Sequence, residues 1–593
     1  VIIQQSTINF RLKFFLKIDL VIGLILLTFI TACSTKNKSI SSQSKNENQK
    51  SNISEEAQTK FAFYFVDGCK ERMKGNIEIA ENLFRECLKI DPSSAATKYE
   101  LGNIYRYSGL YDEAIKYGRA CANEDPKNKW YQLLYIECLS NKRQYNAAAE
   151  VYTRLIKNHP NTPEFYEGLA AQYMYAGNYE KAYKTYDEIE KQFGYNDAFT
   201  LNKIKILKEQ RKFTEVENEF KKLIENNKQE IRYYTYLADF YQETAQNNKA
   251  FDTYQEALKI APNDPLLHLA LADYYKFIND KENFFNEVKI AFKNPDLETE
   301  VKTKILSSYY EISEKNETLK NQADTLFNIA LKLHPGSSDL HGLKGDFLIR
   351  DEKVKEAHEE YLLAIKSEKG NFELWNQLLI TESELGEYKL LEENSSSAIE
   401  LFPNQPLPYF FNGLANSTLK NYTKAIESLN EGLEFVYENN ALMLSFYSTL
   451  GDCYNANKDF EKSDKAFDNA LKIDPDNASI LNNYAYYLSL RKEKLDKAEK
   501  YSKRSNELKP NNVNYIDTYG WILFQQSKYN DAEVWLNRAV KISKKGSIAE
   551  HYGDVLFKLG KKDEALIYWN EAQNTGGGSE FLNKKIETKT LND

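Results

Sequence analysis

Small and apolar residues return along this chain at a fixed interval. Ala80, Ala114, Ala148, Ala182, Val216 and Ala250 stand 34 residues apart. A second series keeps the same interval: Cys87, Cys121, Leu155, Ile189, Leu223, Ala257 and Ala291. A third, Gly68, Gly102, Ile136, Ala170, Ile204, Ala238 and Ala272, runs twelve positions ahead of the first. Further on, Ala323, Ala357, Leu391 and Ala425 hold the interval of 34, and Ser463, Ala498, Ala532 and Ala565 follow at steps of 38, 35, 34 and 33. Pro92, Pro126, Pro160, Pro262, Pro335, Pro403, Pro475 and Pro510 close many of the periods. None falls inside a predicted helix, where it would cost about 3 kcal/mol. A length of 593 residues alone would suggest about four domains. An internal period overrides that prior.

This spacing resembles the tetratricopeptide repeat (TPR), a pair of antiparallel helices. Its pattern has small residues at positions 8, 20 and 27, aromatics near 4, 11, 17 and 24, and proline at 32. Two helices approach closely only where side chains are small, and aromatics fill the space between neighbouring repeats. In the sixth unit Tyr234, Ala238, Tyr241, Ala250, Tyr254, Ala257 and Pro262 occupy positions 4, 8, 11, 20, 24, 27 and 32. The resemblance implies an all-α fold, a right-handed TPR α-solenoid superhelix of about fifteen repeats between Phe61 and about Thr575. The weakest units are 197–228 and 294–336, where Val216 and Glu311 replace small residues. The segments Lys293–Thr303 and Val436–Leu444 are insertions that read either as hinges or as longer loops. The expected organisation is a signal segment (1–32), a lipidated cysteine and disordered polar tether (33–60), solenoid blocks at 61–293, 294–435 and 436–575, and a glycine-rich turn with a capping helix (576–593).

In this family, first-helix positions 2, 5, 9 and 12 line a binding groove. The resemblance places Phe65, Tyr99, Trp130 and Leu133 there in the first three units, and Asp239, Asp273 and Asp346 at position 9 of middle units. Tyr486, Trp521 and Phe524 follow in the thirteenth and fourteenth. The Lys and Asn that let some TPR domains clamp a C-terminal carboxylate are replaced by Phe65 and Cys69 in the first unit. A peptide-carboxylate clamp is therefore not expected, and the apolar N-terminal groove and acidic middle imply an extended partner with hydrophobic anchors and basic flanks.

The N-terminal region adds a location. Arg11, Lys13 and Lys17 precede the apolar run Leu20–Ile30. That run is too short for a membrane span, which needs about 20 residues, and fits the core of a signal peptide. Ile30-Thr31-Ala32-Cys33 resembles a bacterial lipobox, which implies lipidation of Cys33. Buried acyl CH₂ groups contribute about 0.8 kcal/mol each. The polar residues that follow read as a leash.

Net charge is −9. An acidic chain without a basic stripe is a poor nucleic-acid binder. The sequence holds no HExxH, Walker loop, GxSxG or paired CxxC. The six histidines and the cysteines besides Cys33 read as structural, and no catalytic residue, metal or cofactor is expected. These features predict a non-enzymatic scaffold of the bacterial envelope. It would be lipid-anchored, facing the periplasm from the outer membrane, and would bind envelope proteins in secretion, outer-membrane assembly or surface-polymer export. The alternative is a SusD-like glycan- or nutrient-binding outer-membrane lipoprotein.

Overall fold

A computed structural model describes residues 54–591. The signal segment, Cys33 and most of the tether lie outside the described residues. Regular structure among the described residues is entirely helical: thirty-two helices, from Glu55–Met73 to Leu582–Thr588. None of these is long and apolar enough to cross a membrane. The helices fall into two compact units, one ending at Asp296 and the other beginning at Leu297. Each unit is a run of antiparallel helix pairs.

Local chemistry sets each pair. First helices start at side-chain caps, such as Ser94 Oγ accepting from the Thr97 N–H, or on prolines in the first turn, such as Pro163, Pro265 and Pro406. A cap of this kind contributes about 1 kcal/mol. First helices end at a left-handed residue that recurs every 34 positions: Gly75, Gly109, Arg143, Gly177, Arg211, Ala245 and Asn279. At Gly109 the turn closes by Leu110 N–H donating to the Tyr105 carbonyl and Gly109 N–H to that of Arg106. This satisfies carbonyls that the helix end leaves open.

Within a pair, position 8 meets position 24. A Cβ on Gly520 would lie 2.6 Å from Leu536, and one on Gly553 would lie 2.5 Å from Trp569. Only glycine fits at these two crossings. Ala80, Ala114, Ala148, Ala182 and Ala250 are fully buried.

Between pairs, position 4 bonds the carbonyl six residues earlier, at or near the repeat-ending proline. Tyr166 donates to Pro160 O and Tyr409 to Pro403 O. His268 and His341 lie 2.9 and 3.1 Å from the carbonyls of Pro262 and Pro335, while their Nδ1 atoms face Glu287 and Glu360 at 2.6 Å. These two histidines are structural ties. Cys69, Cys87, Cys121, Cys138 and Cys453 are unpaired thiols, and burial pushes Cys87 up to about 11 and Cys121 up to about 12.

The two weak units differ in outcome. Residues 197–228 form a regular pair, Asp197–Glu209 and Phe213–Asn226, with Val216 fully buried. Lys203, 2% exposed, is held there by Asp187, Glu190 and Glu219. The segment after Asp296 is irregular. Its first helix breaks at Ser308 into Thr299–Ser307 and Tyr309–Ser313. Near 436 the structure is continuous instead: Val436 and Phe446 share one core cluster, and the extra residues lengthen the helix Asn440–Ala456.

Both ends depart from the expected boundaries or add to them. The first helix begins at Glu55, with Ser54 Oγ as its cap, so residues 55–60 are helix rather than tether. Two glutamates in the first turn favour that start electrostatically. At the other end, Leu582, Ile586 and Leu591 pack into the core of the last pair. Lys585 Nζ sits 2.8 Å from Glu550 and 2.7 Å from Asp554. The short helix thus covers an apolar face that would otherwise meet water.

Candidate interaction surface

The first-helix face carries the residues that the repeat register assigns to binding. The structure sorts them into three kinds. In the first unit, Phe65 packs edge-on against Phe84, with centroids 5.7 Å apart, and stacks on Phe61. Tyr99 lies against Tyr131 at 5.3 Å. Leu133 rests on the same core cluster. These three are edges of the core with one side exposed. Trp130 is different: it is 55% exposed, with Lys129 Nζ 5.0 Å from its ring centroid.

The position-9 aspartates differ in their partners. Asp239 and Asp273 belong to the first unit and Asp346 to the second. Two of them are held by their own repeat. Tyr254 donates to Asp239 Oδ1 at 3.2 Å and Tyr361 to Asp346 Oδ1 at 2.8 Å. Asp554, also at position 9, accepts from Trp569 Nε1 at 2.9 Å. The donor stands fifteen residues on in each case, at position 24. Where position 24 is apolar the tie is missing. Val288 stands opposite Asp273 and Phe467 opposite Asp452. Burial, with Asp239 nearby, pushes the Asp273 carboxyl up to about 6. Burial pushes Asp452 to about 6 as well, against one hydrogen bond from Tyr487 of the next repeat.

The C-terminal residues are brought together. Trp521 stacks on Phe524 at 4.8 Å and on His551 of the following repeat at 4.1 Å. His551 Nδ1 lies 3.0 Å from Asp517 Oδ1. Burial works against the charged imidazole, but the Asp517 carboxylate wins and raises its pKa. Tyr486 neighbours Tyr487 at 6.1 Å, and its pKa is raised by burial and by Asp517.

The sequence reading missed Asp452, Asn455, Asn482, Asp517 and His551. Asp452 had a signal: it stands 34 residues before Tyr486, and so at position 9. The 38-residue step before Ser463 hid that register. Among the described residues, no group of three or more His, Cys, Asp or Glu side chains is placed to hold a metal ion.

Family models described as "Tetratricopeptide repeat" match residues 72–129, 105–172, 231–264, 444–477 and 466–500. The chain carries tetratricopeptide repeats. With the helix pairs above, this makes the fold an all-α TPR solenoid. By sequence it is 26% identical over 214 residues to human Protein O-mannosyl-transferase TMTC3, covering 36% of this chain and 23% of that protein. It is 28% identical over 146 residues to a TPR repeat-containing protein of Pseudomonas aeruginosa, covering 25% and 24%. The third relative is Anaphase-promoting complex subunit 3 of Schizosaccharomyces pombe, 27% identical over 165 residues, covering 26% and 23%. The matches therefore span about a quarter of each relative's length. Among solved structures, Naa15/Naa10 bound to HypK-THB is 14% identical with a TM-score of 0.39, covering 90% of this chain and 94% of that chain. A tetratricopeptide repeat protein from Parabacteroides merdae is 14% identical with a TM-score of 0.35, covering 42% and 98%. TPR proteins bind protein partners, and that general role is what the repeats in this chain imply.

Proposed function

We propose that this protein is a lipid-anchored scaffold of the bacterial envelope that binds extended segments of other envelope proteins on its first-helix face. The observation that carries the binding half is the state of that face in the second unit. Of the position-9 residues of three successive repeats, Asp452, Tyr486 and Trp521, the first and last each leave a polar atom without a partner, Asp452 Oδ1 and Trp521 Nε1, and the last two are aromatic. A solenoid offers such a face along its whole length. The anchoring half rests on the sequence Ile30-Thr31-Ala32-Cys33 and the polar stretch after it. Service in secretion, outer-membrane assembly or polymer export is compatible with this chemistry, and position alone does not choose among them. The glycan-capture alternative calls for long irregular segments, whereas connections between the described helices run to a few residues.

Two measurements test the proposal. Cys33→Ser is expected to abolish acyl labelling and release the protein from the membrane fraction. Wild-type sedimentation of the variant would overturn the lipid anchor. Crosslinking in native cells, with purification through a C-terminal tag, is expected to recover defined envelope proteins. Crosslinks that avoid the first-helix positions would overturn the binding face.

A further inference from the structure

Five repeats carry aspartate at position 9, and the structure divides them. Asp239, Asp346 and Asp554 receive a proton donor from position 24 of their own repeat. Asp452 does not, because position 24 is Phe467. A carboxylate half-buried without that donor is expensive. The surroundings of Asp452 make the deficit larger. Its Oδ1 has no partner, nor does Asn455 Oδ1 one turn on, nor Asn482 Oδ1 at position 5 of the next repeat. Asn482 is only 7% exposed. Three groove positions thus leave buried acceptor oxygens without partners. Buried polar atoms are normally paired, and each exception calls for an explanation.

Aromatic side chains bound the same place. Tyr487 hydrogen-bonds Asp452, and Tyr486 lies beside Tyr487 at 6.1 Å. One repeat further, the Trp521 indole is already stacked between Phe524 and His551, so Tyr486 is the aromatic neighbour of this site. Among the described residues no metal-holding group exists here or elsewhere, and one carboxylate with two amide oxygens is a poor divalent-cation cage. The set suits a donor-rich organic cation. A guanidinium has five N–H donors and no acceptor, and an ammonium has three. Both gain from an adjacent aromatic face.

We infer that the first-helix face around Asp452, Asn455 and Asn482 is a pocket for a basic side chain, arginine above all, on an extended segment of the partner protein. This deepens the scaffold reading and rests on it. Asp452 and the two amide oxygens accept the N–H groups, and Tyr486 flanks the cation. The charge of the pocket excludes acidic segments and carboxylate termini.

The test uses the full-length protein in detergent and a series of dye-labelled heptapeptides, Gly-Ser-Leu-X-Leu-Ser-Gly, with X as Arg, Lys, Gln or Glu. Binding is read by fluorescence polarisation. The Arg peptide is expected to bind roughly tenfold or more tightly than the Gln peptide, the usual scale for a hydrogen bond to a charged group. Lys is expected between them, Glu weakest, and the Arg preference is expected to shrink with added salt. Asp452→Asn and Asn482→Ala should each erase the preference. Glu461→Gln, which removes one negative charge from the second helix of the same repeat, should leave it intact. Melting curves confirm folding of each variant. Equal binding of Arg and Gln peptides, or an unchanged Arg preference in Asp452→Asn, overturns the pocket. Arg and Gln peptides that bind equally, and lose binding in Trp521→Ala, would leave the scaffold face standing and remove only the basic-side-chain assignment. No binding by any peptide would overturn both.

Discussion

The Tyr361 hydroxyl donates to Asp346 Oδ1 at 2.8 Å, tying the second helix of a repeat to the first across fifteen residues of sequence. Tyr361 is fully buried and Asp346 half-buried, so neither group finds water as a ready substitute. Burial raises the Asp346 pKa, and the bond from Tyr361 opposes that rise. Tyr361→Phe keeps the ring and deletes the donor. The expected cost is about 1–3 kcal/mol, the price of an unsatisfied buried acceptor. Because stability in a solenoid is mostly a nearest-neighbour property, faster amide exchange should concentrate in residues 338–367 and the repeats beside them. Unchanged protection there would show that the bond contributes nothing.

Asp273 and Asp452, which lack that tie, shift in the same direction as Asp346 and reach the range near neutral pH. Burial holds the Asp273 and Asp452 carboxyls at about 6, above the ~3.9 of an unfolded chain. Between those values the folded state binds more protons than the unfolded state. Stability is therefore greatest below about pH 4 for these groups and falls as pH rises through about 6. Asparagine has the same shape and no charge. Asp273→Asn and Asp452→Asn should each raise stability at pH 7.5, by on the order of 1–3 kcal/mol, and have little effect at pH 4. Calorimetry at the two pH values checks this. A lower melting temperature for Asp452→Asn at pH 7.5 would mean the carboxylate is satisfied in the folded protein.

This contrast shows what the sequence could and could not reveal. Residues that act through size were legible. Gly520 and Gly553 meet Leu536 and Trp569 at the close crossings that a small residue at position 8 implies. Prolines at position 32 and aromatics at position 4 were also legible, though not their bond, Tyr409 to the Pro403 carbonyl. Hydrogen-bond partners across the two helices were not. Asp346 reads in one dimension as a groove aspartate and Tyr361 as a packing aromatic; only the helix crossing joins them. The broken helix at Ser308 was foreshadowed by Glu311 where a small residue belongs, and the division after Asp296 falls within the insertion Lys293–Thr303. Residues 55–60 look like tether by composition, and two early glutamates with a serine cap make them helix.

Lys585 makes the C-terminal cap a sharp test of buried charge. It is 7% exposed between Glu550 and Asp554, which are 3% and 2% exposed. The Ser579 N–H and hydroxyl also bond Glu550. Removing one member of a buried pair costs about 3–5 kcal/mol, because the other charge is stranded. Lys585→Met fills similar volume and strands two carboxylates. Early loss of amide protection in residues 546–588, with the first unit unaffected, is the expected result. Protection equal to wild type would mean that water already solvates the pair.

The two tryptophans separate binding from folding. Trp130 is 55% exposed and its ring meets Lys129 from one side, so truncation should leave the fold alone. Trp521 lies between Phe524 and His551 at 4.8 and 4.1 Å. Aromatic pairs of that kind contribute about 0.5–1.5 kcal/mol beyond area burial, so Trp521→Ala should lower the melting temperature. Trp521→Phe keeps a ring in the stack and shortens the surface offered to a partner. Exposed aromatics at the centre of an interface cost about 2 kcal/mol or more when truncated, a loss of roughly thirtyfold in affinity. Trp130→Ala and Trp521→Phe, both confirmed as folded, are therefore expected to reduce recovery of crosslinked partners from native cells. Full recovery with Trp130→Ala would remove the first unit's exposed aromatic from the binding face. Full recovery with both would move recognition off the aromatic positions and onto the polar ones, where Asp452 Oδ1 and Asn482 Oδ1 lack partners.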